Sequence, residues 1–256
     1  MSSVMPSVPG RFFVGDFDRG ADGRIVFTGG SVSSSGQIAP FFAWISADGL
    51  TSRVISTVPY HPHQVAVAPD GTIWTLGCKM IDHDPWASGL DGNAGIFRHF
   101  DAQGKFIASA GPHSQFKGHH QLSRLFSGYL VAKSDRVAWY SGIHSEQGDY
   151  VEIRPDTMKR QGYPGLPKLS NSSLVVGFAS TDNGGVYVSF EDHAPPPQEV
   201  NYRHRRIYML DRANRQWVLV ATPAIGTVVE PHLMGSDGDN LVFMGNDSFG
   251  FINLTQ

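Results

Sequence analysis

This sequence predicts an all-β fold assembled from repeated antiparallel units. Three observations carry the prediction. The first is a hairpin pattern that recurs along the chain: an apolar alternation, an Asp/Asn-Gly turn and a second β-rich run, clearest in His61–Trp74, HPHQVAVAPDGTIW. The second is composition, with 29 Gly and 16 Pro spread through 256 residues rather than pooled in a linker, and no long apolar stripe of helical period. The third is spacing. The turn residues Asp22, Asp70, Asp135, Asn183 and Asp239 lie 48, 65, 48 and 56 positions apart, and periods of about 40 to 50 residues with four strands each are those of propeller blades.

The first unit opens with GDFDRGADGRIVFTGG from Gly15 and continues through FFAWISADGLTSRVIST, two more strands about Asp48-Gly49. The second runs from the His63 strand to GIFRHFDAQGKFIASAG, turning at Gln103-Gly104, with an insertion over residues 79–93. GYLVAKSDRVAWYSG and DYVEIRPDTMKRQGY make the third. VGFASTDNGGVYVSF and RRIYMLDRANRQWVLVA make the fourth, around the Pro-rich insertion EDHAPPPQEVNYRH. The last, HLMGSDGDNLVFMGNDSFGFINL, holds three strands. Its open edge predicts that residues 7–14, including VPGRFFV, supply the fourth strand and close a ring. The reading is one domain over 1–256, with blades at roughly 15–60, 61–112, 124–165, 174–224 and 230–256. A β-sandwich is the competing architecture, because sandwiches also turn every 8 to 12 residues.

The second unit resembles an NHL-type repeat. QVAVAPDGTIWTLG followed by GIFRHFDAQGKFIASAG has the strand, DG turn and R-x-F-D-x-x-G-K-F hairpin of that family. The resemblance implies a propeller, commonly of six blades, against the five units counted here. NHL-like and related propellers include metal-dependent lyases, lactonases and phosphotriesterases, but no ligand motif of theirs aligns here residue by residue.

Charge and composition exclude several roles. A net charge of -3 gives no footprint for nucleic acid or an anionic membrane. The cluster Arg203–Arg206 reads as a solvated loop, and no apolar run approaches the roughly 20 residues of a membrane span. A single cysteine, Cys78, excludes an intrachain disulfide and reads as a small buried hydrophobe at a strand end rather than a nucleophile. The N-terminus MSSVMPSVPG has neither basic nor apolar signal regions, so the protein is expected in the cytoplasm, or outside it if a signal has been removed. A monomer is expected.

In a propeller, the segments leading into each first strand and the loops joining strands two and three share one face. Nine of the eleven histidines sort to it: His61, His63, His113, His119, His120 and His232 in leading segments, and His83, His144 and His193 in loops. His63 and His232 each lie seven residues before a turn aspartate, so the turn count makes them equivalent, with Asp16 and Asp18 following the matched Gly15 between them. Two imidazoles and a carboxylate suit a divalent ion such as Zn, Fe, Mn or Ni, and His63, His232 and Asp16 are the expected ligands. His61, Glu230 and Asp18 are candidate general bases or additional ligands, although either Asp could equally cap a turn. His120, His83, Trp86, His144 and His193 are candidates to contact a substrate.

The leading expectation is a metal-dependent hydrolase or lyase acting on a small ester, lactone or related substrate. A non-catalytic platform for a small molecule, peptide, glycan or protein, and a metal-free histidine and carboxylate enzyme, are the alternatives.

Overall fold

The computed structural model describes residues 10–79, 91, 93–112, 114, 128–141, 150–164, 174–193, 203–221, 232–244 and 249–253. They form five antiparallel sheets in which neighbouring strands are consecutive in the chain. The first sheet contains β1 (Arg11–Arg19), β2 (Ile25–Val32), β3 (Ile38–Ile45) and β4 (Ser52–Ser56). The second contains β5 (Tyr60–Val67), β6 (Ile73–Lys79), β7 (Gly95–Phe100) and β8 (Phe106–Pro112). The third contains β9 (Tyr129–Ala132), β10 (Val137–Tyr140), β11 (Tyr150–Ile153) and β12 (Arg160–Tyr163). The fourth contains β13 (Leu174–Ser180), β14 (Val186–His193), β15 (Arg203–Asp211) and β16 (Gln216–Ala221). The fifth contains β17 (His232–Asp237), β18 (Asn240–Met244) and β19 (Phe249–Asn253). These all-β, four- and three-stranded antiparallel sheets are consistent with the blades of a five-bladed propeller, as expected.

The hairpins form where the turn chemistry demands them. At Asp70-Gly71 the carboxylate accepts the Thr72 N–H at 2.9 Å, and Gly71 takes a φ of +82°, which a side chain would oppose. Asp22-Gly23 and Asp48-Gly49 repeat the arrangement, with Arg24 and Leu50 donating.

The chain divides into two compact units. One holds the first two sheets with residues 130–137 and 152–160, and the other holds the rest of the third sheet with the fourth and fifth. In the first unit, Val26 and Phe42 of one blade pack against Val65, Val67, Ile73 and Phe100 of the next. Arg24, 8 % exposed, ties the same blades by donating to the carbonyls of Ala102 at 2.6 Å and Gly71 at 2.9 Å. In the second unit, Ala179, Tyr187 and Ile207 pack against Leu233, Leu241 and Phe243.

Two expectations need correction. Arg11–Val14 do not supply a fourth strand to the last sheet; they extend β1 and pair with Gly29–Val32. The run from Arg11 to Arg19 is long enough to make eight ladder pairs with β2, and that local hairpin captures it. Residues 7–9 lie outside the described set. The second correction concerns Arg203–Arg206, which form no loop but open β15.

Candidate functional site

Both units carry polar chemistry at the leading ends of their blades, and each is built by strand pairing. In the first unit the anchor is Tyr60. Its buried hydroxyl donates to the Ile96 carbonyl at 2.8 Å and bonds Thr75 Oγ1 at 3.1 Å, while the Arg98 guanidinium lies 3.9 Å from the ring centre. This fixes the start of β5, so the strand begins before His61 rather than at His63.

His61 then sits directly opposite Cys78 on β6. A β-bulge between Pro62 and Gln64 makes His63 the extra residue of the strand and turns it onto the same group. The two imidazole centres are 4.5 Å apart, Phe13 meets His61 edge-on at 6.0 Å, and His63 Nε2 is 3.9 Å from Cys78 Sγ. Burial, with the neighbouring His61 second, pushes the His63 pKa down to about 3. Burial likewise lowers that of His61 and raises that of the Cys78 thiol to about 12. Both imidazoles and the thiol are therefore neutral at pH 7.

The structure places Asp16 and Asp18 against the edge of β5. Asp16 Oδ2 accepts the Val65 N–H at 3.0 Å and Asp18 Oδ2 accepts the Val67 N–H at 2.8 Å, while Thr28 Oγ1 donates to the His63 carbonyl at 3.2 Å. Alternate side chains of β1 thus match alternate amides of the β5 edge, both repeating every two residues. Desolvation raises both carboxyl pKa values despite these bonds.

In the second unit Glu191 and Arg205 face each other across β14 and β15. Arg205 Nε donates to Glu191 Oε2 at 3.0 Å, with side chains 4 % and 5 % exposed. Arg205 Nη2 lies 3.1 Å from Nε2 of half-buried His232. Guanidinium has donors only, so His232 Nε2 accepts, and the neutral ring carries its proton on Nδ1.

This arrangement does not fit the expected divalent centre. An ion at His232 Nε2 would displace the guanidinium bond and place its charge beside a buried cation, and Asp16 Oδ2 is bonded to the Val65 N–H. Among the described residues, no group of three or more His, Cys, Asp or Glu side chains is placed to hold a divalent ion.

The register of His232 also changes. In β17 the bulge falls between Leu233 and Gly235, and the hairpin closes on two residues, Asp237 pairing with Asn240. In β5 four ladder pairs separate the bulge from a five-residue turn closed by Val67 and Ile73. Aligned by their bulges, His232 corresponds to His61, not to His63.

His193 is the last residue of β14, paired with Arg203, and not a loop residue. His83, Trp86, His120, His144 and Glu230 lie outside the described residues. Arg205, and its pairing with Glu191, is what sequence reasoning missed. The usable signal was the alternation Arg205, Ile207, Met209 within a strand-forming run, which puts the arginine on an apolar face.

A cleft of about 730 Å³ opens in the first unit between Gly10, the β2–β3 loop and Val58. Ser31, Ser33, Ser34 and Gln37 line it with Ile38 and Ala39.

No protein-family model and no curated protein matches the sequence. Among solved structures, the chain is similar to a luciferin-regenerating enzyme at 13% identity and TM-score 0.46, with 93% of this chain and 85% of that one covered. It is similar to an α-L-arabinofuranosidase from Podospora anserina at 13% identity and TM-score 0.43, covering 95% and 87%. It is also similar to TolB from Acinetobacter baumannii at 10% identity and TM-score 0.43, covering 93% and 52%. All three are β-propeller structures, and the likeness concerns the fold alone.

Proposed function

We propose that the protein is a hydrolase or lyase acting on a small ester, lactone or related carbonyl compound, with Arg205 and His232 as its electrophilic groups. The observation that supports this reading is the Glu191–Arg205–His232 array, a buried ion pair against a half-buried imidazole, at the strand ends of the fourth and fifth blades. A buried ion pair costs several kcal/mol per ion to desolvate, and apolar residues of similar volume serve stability as well or better. A fixed guanidinium beside a neutral imidazole instead suits chemistry in which negative charge develops on a carbonyl oxygen. Glu191 holds the guanidinium in place, and the guanidinium in turn holds the imidazole neutral in one tautomer.

The test is turnover of a panel of chromogenic esters and lactones by the wild type, Arg205→Lys and His232→Gln. The expected result is activity on at least one class, with kcat about 100-fold lower in Arg205→Lys and an unchanged circular dichroism spectrum. No turnover by the wild type, or full kcat in Arg205→Lys, rejects the reading.

The cleft favours a second reading, a binding module for a neutral hydroxylated or amide-bearing ligand, because its polar lining is three serines and a glutamine without a charge. Calorimetric titration with mono- and oligosaccharides and short peptides tests it, and binding that persists after Gln37→Leu argues against the cleft as the site.

A further inference from the structure

We propose that His63 and Cys78, with the adjoining His61, bind one soft monovalent metal ion, cuprous copper, at the leading end of β5. The site is independent of the Arg205 array and lies wholly within the first unit. Three observations carry it. Cys78 Sγ and His63 Nε2 are 3.9 Å apart. With metal–sulfur and metal–nitrogen bonds of about 2.3 and 2.05 Å, an ion between them subtends an angle of roughly 127°, whereas a tetrahedral centre would draw the two atoms to about 3.6 Å. The pair is already spaced for an ion of low coordination number and needs little movement to close on it.

The second observation is His61. It is 94 % buried by its 6 % exposure, its Nδ1 has no hydrogen-bond partner, and it stands directly across the ladder from Cys78. A buried polar atom left without a partner costs about 1–3 kcal/mol and calls for an explanation such as a bound ion. Its ring lies 4.5 Å from that of His63, close enough to bring a second nitrogen to the same ion by rotation.

The third is donor chemistry. A thiol sulfur with one or two neutral imidazoles is a soft, nitrogen-rich set, and thiolate donors select Cu(I) where oxygen donors select harder cations. Divalent ions that demand four or more ligands are poorly served, because no three titratable donors already converge among the described residues. Binding forms the Cu–S and Cu–N bonds, and the Cys78 proton leaves to solvent. Copper enters and stays as Cu(I), so no electron is transferred.

The experiment is an anaerobic titration of the reduced full chain against Cu(I) held by the colorimetric chelator bicinchoninate. The wild type should withdraw one equivalent. Cys78→Ser and His63→Gln should each weaken binding more than about tenfold, and His61→Gln should weaken it less. Circular dichroism spectra matching the wild type show that each variant is folded. Should Cys78→Ser fail to fold, the wild type answers alone: one equivalent of Cu(I) should slow alkylation of Cys78, the chain's single cysteine, at least about tenfold. Failure of the wild type to compete for copper overturns the proposal. So does one-equivalent binding of unchanged affinity by Cys78→Ser, or an alkylation rate indifferent to copper.

Discussion

If Asp16 and Asp18 are fasteners between two blades, replacing them should change stability in a pattern that a catalytic role would not produce. Asp18→Ala removes the acceptor of the Val67 N–H, whose residue is 7 % exposed. A buried amide left without a partner costs about 1–3 kcal/mol. The same applies to Asp16 and Val65, which is 2 % exposed. The two sites share one strand pair, so the double alanine variant should lose roughly 2–4 kcal/mol, less than the sum of two full penalties.

Asparagine behaves differently, because it keeps the acceptor and removes the charge. Burial raises both carboxyl pKa values above 3.8. The folded protein therefore binds these protons more readily than the unfolded chain, and their contribution to stability is largest in acid and falls as pH rises through the folded pKa. Relative to wild type, Asp18→Asn should fare better at pH 7 than at pH 4. Urea unfolding of wild type, Asp18→Ala, Asp18→Asn and the double alanine variant at both pH values measures all of this. A loss below about 0.5 kcal/mol in Asp18→Ala, or an Asn effect of opposite pH sign, would refute the reasoning.

Other consequences follow from contacts within each unit. Glu191→Gln leaves the Arg205 guanidinium buried without its carboxylate and should cost about 3–5 kcal/mol, while the double change Glu191→Leu with Arg205→Met should recover most of that loss in urea unfolding. Arg24→Met removes two charged hydrogen bonds to the carbonyls of Ala102 and Gly71, and should cost about 2–4 kcal/mol by the same assay. In Gly177→Ala, a Cβ would stand 2.2 Å from the Leu233 carbonyl oxygen, so thermal unfolding should show a loss of about 1–3 kcal/mol.

The fold was legible because its determinants are local. An Asp followed by Gly sets a turn through the aspartate's bond to the amide two residues on, and the flanking alternation sets which side of each strand is buried. Both can be read from a few consecutive residues, and they placed the hairpins at Asp22, Asp48 and Asp70. Which strand takes Arg11–Val14 was not legible in this way. Closing a ring and lengthening a hairpin are both consistent with a short apolar run, and the shorter connection wins because it closes the smaller loop.

The site was only partly legible, and β-bulges are the reason. A bulge adds one residue to a strand without adding a ladder pair, so counting back from a turn loses the register by an amount the sequence does not announce. His63 is itself the extra residue of β5, which turns it toward Cys78 and His61. His232 lies two residues before the extra residue of β17, behind a tighter hairpin, and meets Arg205 instead. Equal distances from the two turn aspartates therefore describe unequal places, and the paired histidines belong to two different chemistries. Arg205 was hidden by the opposite error. Its neighbours Arg203, His204 and Arg206 make the segment look solvated, yet alternation along β15 sends Arg205 to the face where Ile207 is buried. Opposite charges at directly paired strand positions, Glu191 with Arg205, then make burial of the cation tolerable. In an all-β chain of this kind, the strand pairing has to be solved before histidines and arginines can be grouped into sites.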